Sequence, residues 1–152
     1  MTQTYSVVLN STITSTNKSG NNSNLGYTYY INWESILPDP KLKYKVSFTF
    51  RTLNRANFTE CYQLYMNFGT SNMYDINSSR TTYLGLIYPV PTTTTVMYGM
   101  ASLNDNAPIT INYPANKVIT ATFSNANTAA TGVYLSIDYV LTLNFTPIME
   151  GV

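Results

Sequence analysis

Acid-base chemistry near neutral pH most often relies on histidine, and this chain has none. Without an imidazole, catalytic triads and histidine-based zinc sites are excluded. What remains is seven carboxylates, Glu34, Asp39, Glu60, Asp75, Asp105, Asp138 and Glu150, and a single thiol, Cys61. Two opposed carboxylates can cleave a glycosidic bond, but these are scattered over different strands and loops, and nothing in their spacing pairs them. Asp105, within Asn104-Asp105-Asn106, begins like a calcium loop but lacks the ligand series that should follow; it reads as a turn. The seven glycines are isolated, so no phosphate-cradling loop is formed. Cys61 stands between Glu60 and Tyr62 in an expected strand, with no histidine to lower its pKa, and reads as a buried, inert thiol. No catalytic residue, metal site or cofactor is expected, and the chain is not expected to be an enzyme.

The chemistry left to it is recognition. Five of its eight basic residues, Lys41, Lys43, Lys45, Arg51 and Arg55, fall in one short stretch. Three of them share the polar face of one expected strand. An ordinary solvated face is one reading of this stripe; docking on an acidic partner surface is the other. The run Thr92, Thr93, Thr94 and Thr95 follows Pro89 and Pro91 and reads as an extended loop. Its residue type suits addition to a neighbour's sheet edge. These nine residues are the candidate partner contacts. The 14 tyrosines suit protein interfaces, where a flat ring with one hydroxyl supplies area at little entropic cost. They also leave a lectin-like surface open. Trp33 follows Tyr27, Tyr29 and Ile31 on one alternating face, and reads as a core anchor rather than a sugar-stacking platform.

The elements that must position these groups are strands. Apolar residues recur with period two and almost never with helical spacing. In Leu42 to Arg51, Leu42, Tyr44, Val46, Phe48 and Phe50 alternate with Lys43, Lys45, Ser47, Thr49 and Arg51, which is a half-buried strand. From Val133 to Phe145 the same pattern returns, with Tyr134 and Val140 as exceptions. Further strands are expected at Tyr5 to Leu9, Tyr27 to Trp33, Glu60 to Phe68, Thr82 to Tyr88, Val96 to Met100, Ile109 to Asn112 and Val118 to Phe123. Clusters such as Pro38-Asp39-Pro40 and Asn77-Ser78-Ser79 mark turns between them. About nine strands without an intervening helix predict an all-β fold: an antiparallel two-sheet sandwich, a single jelly roll of about eight strands. An immunoglobulin-like sandwich is the structural alternative, without its paired cysteines and strand-C tryptophan.

At 152 residues one domain spanning 1–152 is expected, with 10–26 as a polar loop or arm. Charged residues make up only 10% of the chain and its net charge is +1, so no field is present to gather nucleic acid, and copies repel one another weakly. The longest apolar run, Leu84 to Val90, is far short of a membrane helix, and no membrane span is expected. One cysteine excludes an internal disulfide. The start Met1-Thr2-Gln3-Thr4-Tyr5 lacks a signal peptide's basic and apolar regions, so synthesis in the cytosol is expected. On that expectation the Asn-x-Ser/Thr triplets at Asn10, Asn17, Asn21, Asn57, Asn77 and Asn144 reflect composition rather than glycosylation.

Four phrases occur in order: Tyr5-Ser6-Val7-Val8-Leu9-Asn10-Ser11, Asn32-Trp33, Tyr44-Lys45-Val46-Ser47-Phe48-Thr49-Phe50, and Tyr139-Val140-Leu141-Thr142-Leu143-Asn144-Phe145. Together they resemble small minor capsid proteins of nucleocytoplasmic large DNA viruses that infect algae or protists. The resemblance covers most of the chain and rests on strand patterns. It implies a single jelly roll in an icosahedral shell, at a fivefold vertex (penton) or cementing the lattice. It also implies other capsid proteins as partners, a homo-oligomer or capsid lattice, and a place in the virion after synthesis in the host cytoplasm. A lectin-like or receptor-binding module is the functional alternative.

Overall fold

A computed structural model describes residues 3–10, 27–52, 62–69, 82–87, 89–90, 98–99, 109–125 and 139–149. Its strands are β1 (Tyr5–Asn10), β2 (Tyr27–Tyr30), β3 (Lys43–Thr52), β4 (Tyr62–Met66) and β5 (Thr82–Ile87), then β6 (Pro89–Val90), β7 (Tyr98–Gly99), β8 (Ile109–Ile111), β9 (Val118–Asn125) and β10 (Tyr139–Ile148). A 3-10 turn at Trp33–Ser35 is the sole helical element among the described residues. The strands form two four-stranded sheets, β1-β10-β3-β8 and β2-β9-β4-β5, with β6 and β7 as a separate small hairpin. Every pairing is antiparallel.

The connectivity settles the type of sandwich. With the small hairpin set aside, the first of the eight described strands pairs with the last, the second with the seventh, the third with the sixth and the fourth with the fifth. One long antiparallel hairpin wrapped around itself gives that order, which is the jelly roll. In an immunoglobulin-like sandwich the first two strands share a sheet; here β1 and β2 lie in different sheets.

Alternation makes the core. On β3, Tyr44, Val46, Phe48 and Phe50 are buried while Lys43, Lys45, Thr49 and Arg51 are exposed. Register then stacks like on like, with Val46 opposite Phe145, Phe48 opposite Leu143 and Phe50 opposite Leu141. Each such side chain stabilises the fold by about 1.5–3 kcal/mol through burial. Aromatic rings join the two sheets: Phe123 meets Phe50 edge-on at 6.1 Å and Tyr139 edge-on at 5.4 Å, while within the first sheet Phe50 stacks on Tyr139 at 5.2 Å. The Tyr29 and Tyr139 hydroxyls share a hydrogen bond of 2.8 Å across the sandwich.

Two strand expectations need correction. The segment expected to run to Trp33 ends at Tyr30. Ile31 still donates its N–H to the Lys117 carbonyl at 2.7 Å, and the chain then turns, with Ile36 and Leu37 both donating to the Trp33 carbonyl. That turn puts the indole N–H of Trp33 2.7 Å from the Asn116 carbonyl and its ring edge-on to Phe68 and Phe145, at 6.0 and 5.4 Å. Trp33 is the buried anchor expected of it, placed by a turn rather than a strand. The last strand runs on to Ile148. Pro147 is tolerated because β1 pairs with β10 no further than Phe145, leaving that end bonded to β3 alone. Residues 11–26, Cys61, and 133–138 at the start of the last expected strand lie outside the described residues.

Candidate interaction surface

A sandwich this thin buries one face of each sheet and exposes the other, so its recognition chemistry lies on two outer faces. On the first sheet, β3 presents Lys43, Lys45, Ser47, Thr49 and Arg51 outward. Register carries the row across: Lys45 lies between Thr146 and Thr110, Ser47 beside Asn144, Thr49 beside Thr142, and Arg51 beside Val140. Beyond β10, Ser6 donates to the Asn144 amide oxygen at 2.7 Å, and the Thr4 and Thr146 hydroxyls lie 2.9 Å apart. From Lys43 to Arg51 the stripe is roughly 26 Å long at ~3.3 Å per residue.

No outward position of this sheet holds a carboxylate among the described residues. The described carboxylates are Glu34 in the 3-10 turn and Asp39 in the following loop. Asp39 accepts the Lys41 backbone N–H at 2.9 Å, while its carbonyl accepts the Tyr44 hydroxyl at 2.7 Å; both bonds shape the turn that leads into β3. Of the nine expected contacts, Lys43, Lys45 and Arg51 thus share one face and exposed Lys41 lies just before it. Arg55 and Thr92 to Thr95 lie outside the described residues.

The second sheet differs in kind, and composition alone gave no sign of it. Its described outward positions hold Thr28 and Tyr30 on β2, Val118, Thr120 and Thr122 on β9, Gln63 and Tyr65 on β4, and Tyr83 and Leu86 on β5. None is charged. Tyr65 and Tyr83 face each other across strands, centroids 5.4 Å apart and planes tilted by 53°. Tyr65 donates its hydroxyl to the Gln63 amide oxygen at 2.9 Å. Partial burial pushes the Tyr65 phenol above its ordinary range; burial and then the neighbouring Tyr65 do the same for Tyr83. Both rings therefore stay neutral wherever an ordinary tyrosine would. A register shift between Leu64 and Tyr65 brings Tyr83 opposite Tyr65, and a one-residue irregularity of that kind carries no clear mark in sequence.

Among the described residues no group of three metal-ligating side chains comes together, and no helix is long and apolar enough to cross a membrane. No protein-family model, curated protein or solved structure matches this chain.

Proposed function

We propose that this chain is a structural subunit of a large icosahedral virus, a minor capsid protein holding a vertex or cementing the lattice, and that it is not an enzyme. The observation that carries this is the single wrapped hairpin of eight strands, a rigid block with two broad outer faces of contrasting chemistry. A shell subunit must meet different neighbours on different sides. The cationic face suits an acidic neighbour, through Lys43, Lys45 and Arg51, and the neutral Tyr- and Thr-rich face suits an uncharged one. The sequence resemblance to minor capsid proteins supports the same reading.

Density-gradient fractionation of material from cells producing the protein tests it. The chain is expected in the fractions of large particles, released only by disrupting them; its presence solely among free proteins would count against the reading. A glycan-binding module is the second reading, favoured by the Tyr65 and Tyr83 pair beside neutral hydroxyls. Retention of the chain on a neutral oligosaccharide matrix would advance it.

A further inference from the structure

We propose that the outer face of the second sheet is the surface on which a second copy of this chain packs; this names one partner of the building block described above. In a two-fold contact a face meets itself, so each charge near the axis meets its own sign. The first sheet fails that condition, because Lys43, Lys45 and Arg51 would face the same cations with no described carboxylate between them. The second sheet meets it, since no described outward position there is charged and Lys117, just before β9, stands at the rim.

The apolar content of the face supports the same occupant. Tyr30 and Val118 are register partners, and they are 61% and 54% exposed, large side chains left open to water side by side. Across the sheet the Tyr65 and Tyr83 rings lean on each other, centroids 5.4 Å apart, and the Tyr65 hydroxyl is committed to Gln63. A facing protein surface needs chiefly area, which these side chains offer. With four strands about 4.8 Å apart and five or six residues deep, the footprint is roughly 400 Å², about half of the ~800 Å² per partner of a stand-alone interface. The contact is therefore weak between two free copies and becomes effective when other contacts hold them together.

Sedimentation velocity of the full chain, across a dilution series from its highest soluble concentration, tests this. Three proteins are compared: the parent, the double variant Tyr30→Lys/Val118→Lys, and the opposite-face variant Thr49→Lys at an exposed position of β3. Both altered residues of the double variant are exposed, and circular dichroism checks that its fold is kept. The expected result is a concentration-dependent dimer for the parent and for Thr49→Lys, with association weakened at least tenfold in Tyr30→Lys/Val118→Lys. A parent that associates equally well with the double substitution overturns the inference and leaves the building-block reading in place. A parent that stays monomeric throughout overturns it too, and the gradient experiment then decides the broader reading on its own. Capture of a neutral oligosaccharide by that monomer, lost in the double variant, would assign the face to a glycan instead.

Discussion

The hydroxyls of Tyr29 and Tyr139 join side chains across the two sheets, and removing that bond tests how the sandwich is held. Both side chains are almost wholly buried, at 1% and 0% exposure, and their oxygens are 2.8 Å apart. Tyr29→Phe deletes one hydroxyl and leaves the other in a low-dielectric core without this partner, which costs about 1–3 kcal/mol. Tyr139→Phe does the same from the other side. The double variant removes both polar groups while the rings keep their packing, including the Tyr139 stack on Phe50. Its loss is therefore expected to be no larger than that of either single change, a coupling of about 1–3 kcal/mol. Urea unfolding with linear extrapolation measures all four proteins of the cycle, as shifts in midpoint at constant slope. Additive losses, with coupling under about 0.3–0.5 kcal/mol, would refute the claim that the two hydroxyls act as a pair.

Alkaline unfolding reads the same site. Burial raises the Tyr29 phenol from 10.0 to about 12, so through that interval the unfolded chain has released a proton that the folded chain keeps. Stability is expected to fall as pH rises from 10.0 toward about 12, by up to about 2.7 kcal/mol from this group and by nothing below that range. Tyr29→Phe removes that part of the fall in urea titrations; Tyr44 and Tyr113, raised mainly by burial, contribute in the same direction. Gly69→Ala should destabilise the fold by about 1–3 kcal/mol. Gly69 has a φ of +80°, and an added Cβ would lie 2.6 Å from the Asn116 side chain, whose amide nitrogen donates to the Asn67 carbonyl; thermal unfolding reads the change. Trp33→Phe leaves the Asn116 carbonyl without its indole donor and a gap beside Phe68 and Phe145. A loss of about 2–4 kcal/mol is expected in the same assay, and a neutral result would mean that Trp33 anchors nothing.

The sandwich could be read from the sequence because burial on one side of a strand imposes period two, and β3 and β10 show it almost without interruption. What single strands do not encode is which neighbour each one takes. The wrapped order rests on non-local pairings such as Tyr5 with Phe145 and Tyr44 with Ile111, which no local pattern specifies. The turn at Trp33 was hidden because its residue continued the alternation of Tyr29 and Ile31, and only the reach of the indole to Asn116 explains the break. The basic stripe was visible, since Lys43, Lys45 and Arg51 lie on one strand two and six residues apart. The neutral face was not, because it is assembled from β2, β4, β5 and β9, and Tyr65 meets Tyr83 only through a shift in register.

The subunit reading is tested most directly by counting. Isotope-labelled peptides of this chain, added to gradient-purified particles before digestion, give its absolute copy number per particle by mass spectrometry. A building block of a closed shell should return one fixed number in independent preparations, unchanged by dilution and washing. A copy number that varies between preparations, or falls to zero on washing, would contradict it.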